Sequence, residues 1–152
     1  MEVREYRAED LASVCEIQHA AYAPLYEKYH DDGNPYLESE ETIRFKYTYP
    51  GCRGYVFWED GCPVGCVRIR LAGEKGKVAA LAVLPEKQGR GIAQTALRLI
   101  EEMHPQVKRW SLDTIAQEPG NCHLYEKLGY RKTGRVEEVS DLLTIVFYDK
   151  NL

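Results

Sequence analysis

An apolar strand, a glycine turn and an amphipathic helix follow one another in the middle of this chain. The strand reads VAALAVL, the turn PEKQGRG contains Gly89 and Gly91, and the helix begins with IAQTAL. Glycine costs a helix interior about 1 kcal/mol relative to alanine. Two glycines at a helix entrance therefore predict a sharp turn of the backbone, or a close approach by another molecule.

Strand patterns precede this unit. GYVFWED and CPVGCVRIRLA are rich in β-branched and aromatic residues, and EDG between them is typical of a hairpin turn. The sequence AGEKGK predicts a looser turn before the central strand. Further upstream, a short strand at residues 3–6 leads to a helix for which Asp10 is the expected cap. Pro24, Gly33 and Pro35 then predict an irregular stretch, and Ser39 precedes a second helix, EETIRFKY.

After the central helix, which Pro105 is expected to end, the pattern gives a strand, RWSLDTI, and a helix around NCHLYEKLG. Two last strands, YRKTGRV and LLTIVFY, complete the chain. No repeat or composition break marks a linker. The sequence predicts one α/β (α+β) domain over residues 1–152, with an antiparallel meander before the strand–turn–helix–strand unit.

Charge and composition exclude several classes of function. The net charge of −4 does not favour nucleic acid as a partner and is weakly compatible with a cationic substrate. No apolar run reaches the roughly 18 to 20 residues of a membrane span, and no signal peptide is present, so we expect no membrane partner and a cytoplasmic protein. Five cysteines, an odd number, fit reduced thiols. Cys52, Cys62 and Cys66 lack the usual zinc spacings, and no metal is predicted.

The glycine turn has the features of an anion site. The first N–H groups of a helix have no partners within the helix and lie at the positive end of its dipole. Small residues let a phosphate approach, and Lys87 and Arg90 add positive charge. A diphosphate cradle and an ordinary tight turn with solvated charges explain the turn about equally well. The Walker pattern is absent, and the dinucleotide fingerprint GxGxxG would need glycine where Gln94 stands.

Two motifs in this chain resemble the GNAT superfamily of N-acyltransferases. Residues 88–93, Gln-Gly-Arg-Gly-Ile-Ala, match its [QR]xxGx[GA] signature, and LYEKLGYRKTG at residues 124–134 resembles its second motif. The two occur in the family's order with a strand between them, and the resemblance covers about residues 53–149. It implies a twisted, mixed, mostly antiparallel sheet of about seven strands flanked by about four helices.

The resemblance also implies a site for acetyl-CoA. In the family the fourth and fifth strands separate after a bulge, and the pantetheine arm pairs with backbone groups of the fourth strand. The diphosphate lies on the turn, whose glycines leave the helix N-terminus open to it. The resemblance assigns acetyl-CoA binding to Leu81, Ala82, Val83, Gln88, Gly89, Arg90, Gly91, Ile92 and Ala93.

Tyr125 matches the tyrosine that serves many family members as the general acid toward the leaving thiolate, although packing in the core would also explain it. Many members carry asparagine where this chain has Glu118. We take Glu118 as a tentative general base. The alternatives are Asp113, His123, a water relay, or an amine that arrives neutral. Asn121 either caps its helix or hydrogen-bonds the pantetheine.

In the family, the acceptor pocket is built by the segment between the first two helices and by the loop between the last two strands. Aromatic and acidic side chains in these segments suit an amine. Solvated loops with tyrosines packed on the core are the alternative explanation. The candidate acceptor residues are Tyr22, Tyr26, Tyr29 and His30. The same segments also contain Tyr36 and the carboxylates of Asp31, Asp32, Glu137, Glu138 and Asp141.

Together these features predict an N-acetyltransferase that transfers an acetyl group from acetyl-CoA to a primary amine of a small molecule, peptide or protein by direct attack. The lack of an obvious general base and the glutamate at position 118 motivate an alternative, a non-catalytic acyl-CoA-binding sensor or interaction module. The family fold often pairs through its C-terminal strands, which leaves a homodimer open. The identity of the acceptor and the acyl-chain preference are not encoded in any pattern we recognise.

Overall fold

A computed structural model describes residues 1–152 and contains seven strands and four α-helices. The strands are β1 Glu2–Glu5, β2 Cys52–Glu59, β3 Cys62–Ala72, β4 Lys75–Val83, β5 Arg109–Ile115, β6 Arg131–Glu138 and β7 Thr144–Asn151. The helices are α1 Leu11–Tyr29, α2 Glu40–Thr48, α3 Ile92–Met103 and α4 Pro119–Lys127. These numbers confirm the predicted seven-stranded, four-helix architecture.

The strands form one sheet in the order β1-β2-β3-β4-β5-β7-β6. Only β4 and β5 are parallel, because α3 connects them as a crossover, and all other neighbours are antiparallel. The β2–β3 hairpin turns at Asp60 and Gly61, both at positive φ, as the favoured two-residue turns require. The β3–β4 turn is tighter than the sequence predicts, since it contains only Gly73 and Glu74.

Each face of the sheet has its own apolar core. On one face, α3 and α4 cover a cluster of 19 buried residues centred on Trp110, Ile100 and Tyr148. On the other face, α1 and α2 cover a smaller cluster of eight, which includes Val14 and Ile43. The helices on this second face pack on β2, β3 and β4. The half of the sheet formed by β5, β7 and β6 therefore has no helix on that side.

The first helix continues past the residue that was expected to end it. Pro24 lies inside α1, which runs on to Tyr29 and closes on His30 in the left-handed conformation, with its N–H donating to the Tyr26 carbonyl. An interior proline costs a helix about 3 kcal/mol, and side-chain contacts on both sides of Pro24 offset this cost. The predicted irregular stretch is therefore helical in its first part. None of the four helices has the length and apolar character needed to cross a membrane.

The two predicted helix caps have different outcomes. Ser39 caps α2 as predicted, since its hydroxyl accepts from the Thr42 N–H at 3.2 Å. Asp10 directly precedes α1, but its carboxylate accepts from the Arg7 N–H at 2.8 Å and makes no hydrogen bond to the helix. A short 3-10 turn at residues 8–10 precedes the helix, and the Asp10 carboxylate caps this turn instead of the helix.

His104 is buried at the end of α3, between the helix and the sheet. Its Nε2 lies 2.6 Å from the hydroxyl of Tyr55, and its ring meets Trp110 edge-on. Burial lowers the pKa of His104, and the nearby Arg53 guanidinium lowers it further. The neutral imidazole is therefore the form that the folded protein favours.

We expect this histidine to make the protein less stable in mild acid. Because the pKa of His104 is lower in the folded state, the unfolded chain binds more protons once the pH falls below the ordinary histidine value of about 6.5. The free energy of unfolding should then decrease between about pH 7.5 and about pH 5.5, and less steeply in His104→Gln. Urea unfolding at the two pH values measures both slopes, and equal slopes would contradict the assignment.

Candidate active site

β4 and β5 separate after a short parallel contact. They pair only over the first three residues of β4, Lys75 to Lys77. The register of β4 against β3 then shifts, and Ala80 adopts a positive φ of 48°. Such a bulge bends a strand locally, and the remaining part of β4 runs clear of β5. The separation implied by the family resemblance is thus present in the chain.

The wedge between the two strands opens into a cavity of about 850 Å³. Its walls come from β4, β5, the glycine turn, α4 and the segment that follows α1. This volume lies within the range of small-molecule and cofactor sites. Of the residues assigned to the site from sequence, those on the wall are Tyr22, Leu81, Ala82, Val83, Gln88, Gly89, Gly91, Ile92, Ala93, Asn121 and Tyr125.

Two side chains bind carbonyl groups of β4 beyond its contact with β5. The Tyr22 hydroxyl donates to the Leu81 carbonyl at 2.8 Å, and the Gln88 amide donates to the Val83 carbonyl at 2.9 Å. The first bond ties α1 to the bulged strand, and the second holds the glycine turn against the strand end. Buried backbone groups require such partners. These bonds fix the shape of the wedge.

The glycine turn presents a row of free backbone donors. None of the N–H groups of residues 89–94 donates to an acceptor in the protein. Gly89 and Gly91 have φ of 78° and 79°, a left-handed conformation that only glycine adopts at little cost. A Cβ on either would meet no atom within 4 Å, so the space before the turn is open. Six unpartnered donors at and before the N-terminus of α3 favour an anion at this position.

The Tyr125 side chain crosses the core and ends at the cavity. Its ring is buried and lies edge-on to Tyr130 at 6.1 Å. Its hydroxyl makes no hydrogen bond within the protein, yet it is not sealed from the cavity. Burial raises the pKa of this hydroxyl, and the Asp113 carboxylate raises it further. The phenol is therefore held in its protonated form at neutral pH.

A glycine turn at a helix N-terminus, a wedge between two parallel strands and a tyrosine at its wall together fit one family. The sequence pattern of the Acetyltransferase (GNAT) family matches residues 13–130, more than three quarters of the chain. The chain belongs to the GNAT acetyltransferase family. It is an acyltransferase, and the non-catalytic alternative is not favoured by this result.

Relatives of this GNAT enzyme match over nearly the whole chain. A candidate acetyltransferase of Bacillus subtilis (strain 168) is 26% identical over 134 residues, which are 86% of this chain and 84% of the relative. This similarity agrees with the family assignment and does not by itself assign a role to any single side chain.

Solved structures share the fold at low sequence identity. The ribosomal-protein-S18-alanine N-acetyltransferase of Escherichia coli has a TM-score of 0.81 at 16% identity, covering 99% of this chain and 92% of that one. The spermidine N-acetyltransferase of Vibrio cholerae, in complex with CoA and spermine, has a TM-score of 0.78 at 17% identity, covering 99% and 94%. The PaiA N-acetyltransferase of Thermoplasma acidophilum, in complex with coenzyme A, has a TM-score of 0.77 at 18% identity, covering 99% and 98%.

Glu118, the tentative base, does not lie on the cavity wall. Its carboxylate accepts from Lys28 Nζ at 2.7 Å and from the Tyr29 hydroxyl at 2.6 Å, which joins α4 to α1. Burial would raise the pKa of Glu118, but these two hydrogen bonds outweigh it and the pKa is lowered. A carboxylate of low basicity that is occupied by two donors is a poor proton acceptor. We therefore do not retain Glu118 as the base.

Asn121 does not cap its helix. α4 begins at Pro119, two residues earlier than the sequence suggested, and Glu118 precedes it without a side-chain capping bond. Proline at the first helical position is favourable, since its missing N–H would have no partner there. Asn121 lies in the first turn and on the cavity wall. The capping role is therefore wrong, and contact of Asn121 with a ligand stays a prediction.

The candidate acceptor residues on α1 have separate environments. Tyr22 reaches the wedge, whereas Tyr29 is bound to Glu118. Tyr26 stacks on Tyr36 at 5.3 Å and meets His30 edge-on at 5.4 Å. Of the four predicted residues, only Tyr22 lies on the cavity wall. Because α1 continues past Pro24, these residues are spread along about 10 Å of helix instead of gathering in one loop.

Asp31, one of the carboxylates named in the acceptor segment, lines the cavity. Asn34 and Lys77 also line it and were not predicted as acceptor ligands. Asn34 lies in the segment after α1, where the buried side chain of Gln18 donates to the Pro35 carbonyl at 2.9 Å. Lys77 lies beside Asp113, with 3.5 Å between Nζ and Oδ2. Nothing in the sequence indicated that Lys77 would face Asp113, because this depends on the pairing of β4 with β5.

Proposed function

We propose that this GNAT enzyme transfers an acetyl group from acetyl-CoA to a primary amine, carried by a small molecule or exposed on a peptide or protein. The observation that carries the proposal is the row of six free N–H groups at residues 89–94, which closes one end of the wedge. The wedge supplies an extended, partly apolar channel that leads from this anion site to Tyr125.

The residues present fit acetyl-CoA. The open space before Gly89 and Gly91 suits a diphosphate. Lys87 lies on the wall, where its Nζ is 3.4 Å from the Glu59 carboxylate. The edge of β4 that does not pair with β5 suits the amide-bearing arm, which Leu81, Ala82, Val83 and Asn121 would contact. Gln88 supports the turn through Val83. Arg90 is exposed beside the turn, where its charge favours an anion without lining the cavity.

When bound, acetyl-CoA supplies an activated acyl carbon and a sulfur leaving group. Tyr125 holds a proton at its hydroxyl because burial raises its pKa, and the free hydroxyl is placed to donate that proton into the cavity. The amine must lose a proton, and two wall side chains are candidates to receive it, Asp113 and His123.

The proposal is tested in two steps. Calorimetric titration should show one-to-one binding of acetyl-CoA, and NADH should give no heat. Release of free thiol in the presence of a panel of primary amines should then report repeated turnover. If the folded protein gives no heat with acetyl-CoA, the assignment of the glycine turn as a diphosphate site is refuted. Tight binding without turnover on any amine would favour a non-catalytic acyl-CoA-binding protein.

A further inference from the structure

A second, smaller cavity lies at the closed end of the wedge. Its volume is about 250 Å³, and it is formed where β3, β4 and β5 still pair, under the turn that follows α2. It adjoins the large cavity at Lys77, which lines both. The polar side chains on its wall are Arg70, Lys75, Lys77 and Ser111. Three of the four are cations, and no carboxylate lines this cavity.

The strand register places these cations on one face of the sheet. Arg70 lies directly opposite Lys77 in the antiparallel β3–β4 pair, and Lys77 is aligned with Ser111 on β5. Residues directly opposite each other in an antiparallel pair point to the same face. Like charges in this position are destabilising. The chain tolerates this unfavourable pair at the closed end of its binding cavity.

Neighbouring carboxylates neutralise only one of the three cations, Lys77. On this face Asp113 pairs with Lys77 and Asp149 pairs with Arg109. Arg70 and Lys75 have no carboxylate within 4.0 Å. The C-terminal end of α2 is near this cavity. Its partial negative charge, about half an elementary charge, offsets only part of the two positive charges of Arg70 and Lys75. The cavity therefore has an uncompensated positive charge.

We propose that this cavity binds an anionic group of the acceptor, a carboxylate or a phosphate, through Arg70, Lys75 and the hydroxyl of Ser111. This inference rests on the proposed acetyl transfer to an amine. Asp113 faces the large cavity on the other side of Lys77 and suits the acceptor's ammonium group. Asp113 lies two residues beyond Ser111 on β5, about 7 Å along the strand. The acceptor is thus a small zwitterion whose ammonium and anionic groups lie several ångströms apart.

The anion site can be tested without turnover. We expect inorganic phosphate to cause saturable amide shifts at Gly51, Leu71 and Gly76 in two-dimensional ¹H–¹⁵N spectra. The double variant Arg70→Gln/Lys75→Gln should lose these shifts. The matched control, Arg131→Gln/Lys132→Gln, removes one arginine and one lysine from the exposed edge strand β6 and should keep them. Shifts confined to the glycine turn, or unchanged in the first variant, would overturn the proposal.

Turnover then tests the acceptor. The panel pairs amines that differ only in the anionic group: amino acids with their amides, and amino-alkyl phosphates with the corresponding amino alcohols. We expect the anionic partner to have the higher kcat/KM, and Arg70→Gln/Lys75→Gln to lower that value about fivefold through KM. The kcat/KM of amines that lack an anionic group should be the same in the variant and the wild type. The two kinds of pair show whether carboxylate or phosphate is preferred.

Failure of this inference and failure of the proposed function give different results. Turnover with equal kcat/KM for both members of every pair would overturn the anion site of the acceptor and leave the acetyltransferase intact. Phosphate shifts at the second cavity with no turnover on any amine would overturn the acetyl transfer, and with it the assignment of the anion to an acceptor.

Discussion

Replacing Gly91 by glutamate is expected to weaken acetyl-CoA binding by about 100-fold or more, which corresponds to about 2.7 kcal/mol. Gly91 is the cap of α3 and has a φ of 79°, and the free N–H groups of the turn surround it. A carboxylate at this position would compete for the donors and repel a diphosphate. Calorimetric titration of the variant with acetyl-CoA measures the loss, and an affinity within about threefold of the wild type would refute the cradle.

A matched variant separates this effect from backbone strain. Gly134, on the edge strand β6, has a φ of 93°, and a Cβ added to it would meet no atom within 4 Å. Gly134→Glu thus imposes a similar left-handed strain, about 1 to 2 kcal/mol, and adds the same charge at a residue that does not line the cavity. Both variants should lose similar thermal stability, but only Gly91→Glu should lose acetyl-CoA affinity. A comparable loss of affinity in both would attribute the effect to strain.

Replacing Tyr125 by phenylalanine is expected to lower kcat by about 100-fold or more, the usual contribution of a positioned general acid. The affinity for acetyl-CoA should change little, because the Tyr125 hydroxyl has no partner in the protein and its ring, which phenylalanine keeps, fills the core. Steady-state kinetics with a turned-over amine, together with calorimetry, measure the two quantities. Turnover within twofold of the wild type would remove Tyr125 from the mechanism.

Tyr130 provides the control for this substitution. Its ring lies 6.1 Å from that of Tyr125, it is also buried, and burial raises its pKa as well. It does not line the cavity. Tyr130→Phe should therefore keep the kcat of the wild type while removing the same atom from the same core. A similar fall in both variants would indicate that packing, and not proton donation, explains the effect.

The features that the sequence determined are local ones. β3 and β5 have the bounds of the runs CPVGCVRIRLA and RWSLDTI, because β-branched and aromatic residues bounded by turn residues favour strands wherever they occur. The glycine turn was also evident, since a left-handed φ restricts the residue type at the position itself. Ser39 indicated the start of α2 for the same reason: a cap contacts only its own helix.

Other features depended on contacts between distant parts of the chain, and no local pattern could reveal them. Pro24 predicted a break, but α1 continues because Tyr22 bonds to Leu81 and Tyr29 bonds to Glu118, two contacts with elements far along the sequence. The same contact with Tyr29 removed Glu118 from the set of candidate bases. Here tertiary packing outweighed local propensity.

The sequence by itself determined the family, the order of strands and helices, and the glycine turn that gives α3 a free N-terminus. Only the tertiary structure decided which side chains reach the cavities. Arg70 and Lys77 belong to different strands, and a hairpin register sets them face to face beside Ser111 from a third strand. Spacing along a chain encodes local conformation, whereas the charge of a cavity arises from strands whose pairing is fixed by the whole core.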